Sequence, residues 1–96
     1  MAGYWIVRGG EITDPQAMQG YAELWPDIAA RFGAQLLAGK GQVETCEGPQ
    51  YARQLIVRFD SYAQAVACYH SDEYAPAKAL AQQASERELV IVEGPD

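Results

Sequence analysis

The sequence predicts an α+β protein of the ferredoxin-like class, with elements in the order βαββαβ, a four-stranded antiparallel sheet and the helices on one face of that sheet. Apolar stretches rich in β-branched and aromatic residues, such as "YWIV", "LIV" and "LVIV", stand near both ends and in the middle of the chain. Two stretches of helical periodicity separate them, and each opens on a capping residue. A chain of 96 residues suits one domain, which we predict over 1–96.

Four strands are predicted, and three of them read without interruption. The first spans 4–9, the third 52–60 and the last 87–94. The second is predicted over 35–48 and contains glycines of the kind that mark a bulge or a bend. Right-handed crossovers then place strands one and three in the middle of the sheet.

The helices are marked by their first residues. Asp14 is predicted to cap the first helix, with Pro15 at its first position, where the missing N–H costs nothing, and Gly33 to end it. Ser61 is predicted to cap the second helix and Ser71 a further short one. Apolar residues recur at helical spacing along the first helix: Ala17, Tyr21, Leu24, Trp25, Ile28 and Phe32.

Both faces of the predicted sheet are apolar. Successive side chains of a strand alternate between the two faces, yet the predicted strands are apolar at consecutive positions. The helices can cover only one face. The sequence therefore predicts a homodimer, in which a second copy of the chain lays its sheet against the other face.

The charge balance argues against polyanionic partners. Seven basic residues stand against thirteen acidic ones, a formal net charge of -6, so we expect no nucleic acid and no membrane partner. No apolar run approaches the roughly 20 residues of a membrane span, and the N-terminus lacks a signal-peptide pattern. A cytoplasmic protein is expected.

No metal or cofactor motif is recognisable. Cys46 and Cys68 form no CxxC pair, and the single His70 does not complete a metal-binding set, so we expect two reduced thiols that serve as small apolar residues. Dinucleotide, flavin and phosphate-loop patterns are also missing from the sequence. We expect no cofactor and no metal, and any catalysis would be cofactor-free acid–base chemistry.

Several stretches together resemble the domain of unknown function 1330 family over residues 3–94: "GYWIVRG", "RFGAQLLAGKG", "FDSYAQAVACYHSDEY" and "ELVIVEG". The resemblance implies membership of the dimeric α+β barrel superfamily, in which two ferredoxin-like subunits pack sheet to sheet. It implies no reaction, because the family has no agreed activity. Superfamily relatives include cofactor-independent monooxygenases, muconolactone isomerases and haem-degrading enzymes, and these suggest a function by fold analogy only.

The most specific part of the match is "YHSDEY", which carries the tyrosine, histidine, serine and second tyrosine of the family at Tyr69, His70, Ser71 and Tyr74. The sequence departs from the family in the following helix. Relatives often have an arginine there, and this chain has Ala81. If that arginine holds an anionic group in relatives, this protein must use another residue or another ligand.

Topology predicts a cluster of polar residues around this motif. His70, at the end of the second helix, should lie near Arg53 at the start of strand three, and Arg8 ends the neighbouring strand at the same edge. With Tyr69 and Tyr74, these residues could bind a carboxylate or an enolate, with His70 as the catalytic proton carrier. The alternative is structural, with His70 capping the last carbonyl groups of the helix.

A second candidate site lies on the inner face of the first helix. Tyr21 and Trp25 are four residues apart, which fits either an aromatic core or the wall of a ligand pocket between helices and sheet. Tyr4 or Trp5 would complete that wall. The sequence does not fix which of these two neighbouring side chains faces the helices, so both remain candidates.

Two functional hypotheses follow. The first is a homodimer that binds a small carboxylate, phenolic or enolisable molecule, with or without cofactor-independent acid–base catalysis on it. The second is a non-catalytic dimeric module with no small-molecule ligand.

Overall fold

The computed structural model describes residues 1–95, which form a four-stranded antiparallel sheet and three helices. Residue 96, the last of the predicted domain 1–96, lies outside the described residues, and the single domain stays a prediction. Strand order is β2-β3-β1-β4, so the two central strands are those predicted. The elements are β1 (Ala2–Gly9), α1 (Pro15–Phe32), β2 (Gln35–Ala38), β3 (Arg53–Phe59), α2 (Tyr62–His70), α3 (Ala75–Ala84) and β4 (Arg87–Gly94). The ferredoxin-like fold is confirmed.

Capping side chains begin the first two helices as predicted. The Asp14 carboxylate accepts a hydrogen bond from the Ala17 N–H at 3.1 Å, and the Ser61 hydroxyl accepts one from the Gln64 N–H at 3.0 Å. Each bond satisfies one of the N–H groups that a helix start leaves without a partner. Gly33 ends α1 in the left-handed conformation at a φ of 69°.

Ser71 has a different role from the predicted one. Its hydroxyl donates to the Cys68 carbonyl at 2.7 Å and accepts from the Tyr74 N–H at 3.1 Å, so it holds the turn that joins α2 to α3. The short helix begins only at Ala75 and has no side-chain cap. The prediction that Ser71 caps α3 is therefore wrong, because a turn lies between them.

The second strand is much shorter than the predicted 35–48 and ends at Ala38. Gly39 and Lys40 follow with φ values of 148° and 64°, outside the extended range, and stop the pairing with β3. The first position favours glycine because L side chains rarely adopt its φ of 148°, and a Cβ there would also displace the end of the Leu55 side chain. The chain bends at Lys40 and Gly41, just beyond the end of the strand, as the glycines predicted, while the register of β2 against β3 shifts earlier, between Leu36 and Ala38.

Alternation along the strands decides which side chains meet the helices. Trp5 is 1% exposed in the core between sheet and helices, and its indole N–H donates to the Ala65 carbonyl of α2 at 3.0 Å. Tyr4 lies on the other face, where its hydroxyl donates to the Pro95 carbonyl at 3.0 Å. Trp5, and not Tyr4, is therefore the aromatic residue that β1 directs towards α1.

The face without helices is partly apolar and uncovered in the single chain. Ile56, Val90 and Val92 are 37%, 54% and 43% exposed on it. Ile6 lies between Ile56 and Val90 in the strand register. Within residues 1–95, no helix is long and apolar enough to cross a membrane.

Candidate functional site

A cavity of about 260 Å³ lies between the helices and the inner face of the sheet. Its walls are mostly apolar. Trp5 and Val7 come from β1, Tyr21 and Trp25 from α1, and Ala81 from α3. The Tyr21 and Trp25 rings stack with centroids 6.1 Å apart and an angle of 9° between their planes, which gives the cavity a flat aromatic side.

The polar lining comes mainly from two arginines on neighbouring parts of the sheet. Arg53 begins β3 and Arg87 begins β4, and Gly9 of β1 pairs with both. Side chains at paired positions share a face, so both arginines project towards the helices. A Cβ on Gly9 would lie 3.2 Å from Nη1 of Arg53, so the glycine leaves room for this guanidinium.

The hydrogen bonds of these arginines go to neutral groups. Arg53 donates to the Ser85 hydroxyl at 3.4 Å, and Arg87 donates to the Tyr74 hydroxyl at 2.8 Å. Lys40 adds a third cation to the lining. Across residues 1–95 none of these three cations forms a salt bridge with an acidic side chain. The cavity is therefore electropositive and lacks a protein counterion.

Two phenols lie at the junction of the arginine end and the aromatic side. The Tyr21 and Tyr74 oxygens are 3.2 Å apart, and Tyr74 is fully buried behind Tyr21. Burial, followed by the neighbouring Tyr74, raises the pKa of Tyr21 above its ordinary value, and Arg87 offsets this only in part. Tyr21 is therefore a neutral phenol at neutral pH.

Four of the predicted site residues come together here. Arg53, Tyr21 and Trp25 line the cavity. Tyr74 lies behind its wall and contacts Trp25 with ring centroids 6.2 Å apart. The predicted aromatic pocket and the predicted arginine are thus parts of one cavity.

Arg8 lies on the opposite face of the sheet. It pairs with Gln54 in the register, next to Arg53 along β3, and alternation sends its side chain away from the helices. It forms a salt bridge with Glu88 at 3.1 Å and covers the ring of Tyr51 at 4.7 Å. The structure therefore separates the two arginines that the topology placed at one edge.

His70 and Tyr69 end α2 outside the cavity lining. His70 is exposed, and its ring contacts that of Tyr69 edge to face at 5.2 Å. Tyr69 packs against Trp5 and lies under the Lys78 ammonium at 4.7 Å. The role of His70 as a proton carrier stays a prediction.

Arg87 and Ser85 were not among the residues predicted from sequence. Arg87 begins the last strand, which is antiparallel to β1 just as β3 is. The topological argument that placed Arg53 beside the end of β1 applies equally to Arg87, so a signal was present. Ser85 precedes β4 as an irregular residue and shows no such signal. Within residues 1–95 no group of three or more metal-binding side chains is found.

Comparison with known proteins gives a family and a fold. The model of a family described as "Domain of unknown function (DUF1330)" matches residues 2–95. Among curated proteins none matches the chain.

Several solved structures share the fold at low sequence identity. A protein of unknown function from Rhodopseudomonas palustris is 15% identical, with 99% of this chain and 83% of that chain covered and a TM-score of 0.71. A cofactor-independent oxygenase from Streptomyces nogalater is 11% identical over 99% and 94% of the two chains, with a TM-score of 0.61. A dimeric protein of unknown function and ferredoxin-like fold from Bacteroides fragilis is 16% identical over 97% and 96%, with a TM-score of 0.59.

Proposed function

Because the chain belongs to the domain of unknown function family DUF1330 and the family has no assigned activity, we propose from the site that it is a homodimer which binds a small aromatic or enolisable organic anion. The binding site is the cavity between helices and sheet. Carboxylates, phenolates and enolates are the ligand groups that suit it.

The observation that carries this proposal is the pair of arginines without an acidic partner. Arg53 and Arg87 line one cavity and form no salt bridge within residues 1–95. Both arginines are half-buried, and an accompanying anion offsets the cost of partly removing a cation from water. A guanidinium holds a carboxylate or similar oxyanion through two parallel hydrogen bonds. An anionic ligand would therefore supply the counterion that the protein lacks.

The size and the walls of the cavity limit the rest of the ligand. Ligand pockets commonly measure about 300–1,000 Å³, and this one, at about 260 Å³, lies just below that range. The flat side formed by Tyr21 and Trp25 favours a planar ring or a conjugated system. We therefore expect a ligand with one or two rings.

Cofactor-free acid–base catalysis on the bound molecule is the finer proposal. A cofactor-independent oxygenase shares the fold, which by itself does not transfer a reaction. The chemistry that would suit this site is stabilisation of an enolate or phenolate by Arg53 and Arg87. Turnover has to be measured once a ligand is identified.

The open sheet face supports the homodimer. Ile56, Val90 and Val92 are 37%, 54% and 43% exposed there, so covering each would contribute roughly half of the about 1.5–3 kcal/mol gained by burying a fully exposed side chain of this size. A second copy that packs sheet to sheet would cover these residues on both chains at once. The similar protein from Bacteroides fragilis is described as dimeric.

Tryptophan fluorescence provides a direct test of binding. The chain has two tryptophans, and both Trp5 and Trp25 line the cavity. We expect cinnamate to change the emission in a saturable manner. The neutral cinnamamide, which has a similar shape, should have a Kd at least about tenfold higher. Equal binding of the two compounds would contradict the proposed anion site.

Three variants locate the response. Arg53→Gln should weaken cinnamate binding at least about tenfold, because it removes a charged hydrogen-bond donor from the cavity. Arg31→Gln, on the exposed surface of α1, is the control and should bind as wild type does. His70→Ala tests the predicted proton carrier, and from its position outside the lining we expect unchanged binding. A folded protein that responds to neither compound would favour the non-catalytic dimeric module.

A further inference from the structure

We propose that the Tyr21 hydroxyl recognises the oxyanion of the ligand, and that the buried Tyr74, held by Arg87, is a positioning residue that turns the Tyr21 hydrogen into the cavity. This inference rests on the proposed binding function and specifies the ligand further. The ligand must carry an acceptor oxygen that reaches Tyr21 while its charge lies near the arginines.

The direction of the first hydrogen bond is fixed by chemistry. Arg87 Nη2 lies 2.8 Å from the Tyr74 oxygen, and a guanidinium has donors only. The Tyr74 oxygen is therefore the acceptor. Its own hydrogen remains available to form a second bond.

That hydrogen has one acceptor within reach. Tyr74 is 0% exposed, so water is not at hand. Among the hydrogen bonds of residues 1–95, the remaining bond of the Tyr74 hydroxyl goes to the Tyr21 oxygen at 3.2 Å. In the reverse orientation, with Tyr21 as the donor, the Tyr74 hydrogen would be buried without an acceptor, which costs free energy comparable to a lost hydrogen bond. The chain of bonds therefore runs from Arg87 to Tyr74 to Tyr21.

Tyr21 is left with a hydrogen for which the described part of the chain, residues 1–95, provides no acceptor. Its oxygen accepts from Tyr74, and its ring forms part of the cavity wall. Arg87 also lies within hydrogen-bond reach of the Tyr21 oxygen, but a guanidinium has donors only, so it cannot accept the Tyr21 hydrogen. The free hydrogen is thus offered to whatever occupies the cavity.

The protonation state of Tyr21 agrees with a donor role. Burial keeps the pKa of Tyr21 above its ordinary value, although cations face the same space. Those cations are Arg53, Arg87 and Lys40. A phenol that stays protonated beside three cations can donate to an oxyanion that those cations also attract.

The ligand chemistry follows from this arrangement. A phenolate, enolate or carboxylate oxygen can accept from Tyr21 and interact with the arginines at the same end of the cavity. A cationic ligand, or a neutral one without an acceptor oxygen, would leave the Tyr21 hydroxyl buried and unpaired. Such molecules should be rejected.

The test uses p-nitrophenol, whose phenolate is coloured, so absorbance reports the protonation of the bound probe itself. The wild-type protein should bind the phenolate in preference to the phenol and lower the apparent pKa of the bound probe. Tyr21→Phe should weaken phenolate binding about tenfold or more, as expected for the loss of a hydrogen bond to a charged group. Tyr62→Phe, which changes an exposed tyrosine on α2, is the matched control and should behave as wild type.

The role of Tyr74 is tested by a double-mutant cycle. Tyr74→Phe should weaken phenolate binding less than Tyr21→Phe, because the Tyr21 hydroxyl remains but loses its fixed orientation. In the Tyr21→Phe background it should cause no further loss, because it acts only through Tyr21. Additive losses of phenolate affinity in the double variant would overturn the positioning role of Tyr74. If the pKa of the probe bound to Tyr21→Phe equals that of the probe bound to wild type, the recognition role of Tyr21 would be overturned.

The same four proteins give a result without any ligand. Melting temperatures of the single and double variants should also be non-additive, since the two hydroxyls share one hydrogen bond. Additive losses would overturn the hydrogen-bond chain whether or not a probe binds. Failure of the wild-type protein to bind p-nitrophenol and cinnamate, with non-additive melting temperatures, would overturn the proposed function and leave the chain of hydrogen bonds standing.

Discussion

At the scale of single residues, the space that the cavity offers to a ligand depends on Ala81. Its methyl group lines the cavity from α3, and the residue is 5% exposed. The cations of the cavity come from the other side, at Arg53 and Arg87 of the sheet and at Lys40 after β2. The small side chain of Ala81 therefore leaves space for a ligand between α3 and these cations.

We predict that Ala81→Leu blocks this space. The added carbon atoms would extend into the cavity, so the protein should fold while cinnamate affinity falls about tenfold or more. Overpacking a filled core costs about 1–3 kcal/mol, and less is expected where the new side chain enters a cavity. Ala79→Leu, an exposed position on the same helix, is the control. Undiminished binding to Ala81→Leu would show that the ligand lies elsewhere.

The sequence could predict some of the residues that form the site, but not the face of the sheet on which each side chain lies. The sequence placed Arg8 and Arg53 at the same edge of the sheet, and β1 does pair with β3 in that register. A shift of one position along a strand changes the face. Arg8 therefore binds Glu88 on the open face, and only the structure shows that Arg53 enters the cavity.

At the scale of elements, local signals fixed where α1 begins. Asp14 caps it and also accepts a hydrogen bond from the Gln83 side chain at 2.8 Å, next to the end of α3. The cap thus ties together the two helices that form one side of the cavity. The second strand shows the limit of such signals, because the backbone angles of Gly39 and Lys40 end pairing that the side-chain pattern would have continued to residue 48.

The Asp14 cap predicts a pH dependence of stability. The hydrogen bond from the Ala17 N–H, followed by that from Gln83, lowers the pKa of Asp14 below its ordinary value of 3.8. A carboxylate whose pKa is lowered by folding stabilises the folded protein above its unfolded pKa, and this contribution is lost as pH falls through the folded pKa. The wild-type protein should therefore lose stability on acidification below pH 3.8.

Urea denaturation at neutral pH and below the ordinary aspartate pKa would measure this loss. Asp14→Asn keeps a capping oxygen but not the charge, so it should be less stable than wild type at neutral pH and lose less on acidification. Asp27→Asn removes an exposed acidic charge from the same helix without altering the cap, and serves as the control. The prediction is wrong if acidification destabilises Asp14→Asn as much as wild type.

At the scale of the whole molecule, the two faces of the sheet have different surroundings. The face towards the helices forms the core and the cavity, with Trp5 and Phe59 buried. The opposite face exposes Val90 and Val92, where side-chain alternation alone would allow polar residues. The consecutive apolar residues of the strands predicted this two-sided character. Which residues lie opposite each other required the register, because strand pairing is set by contacts between distant parts of the chain.

The proposed dimer makes a prediction about the open face alone. Val90→Lys places a charge at the most exposed valine of that face, so burying it against a second sheet would be unfavourable. We expect light scattering at micromolar concentration to give twice the chain mass for wild type, and the mass of one chain, or a dimer at least about tenfold weaker, for Val90→Lys. Leu24→Lys replaces an exposed apolar residue on α1 and should leave the dimer intact.

Because the cavity lies on the other face of the sheet, monomeric Val90→Lys should still bind cinnamate. A wild-type monomer would contradict the dimer, whereas loss of binding together with dimerisation would mean that the partner subunit completes the site.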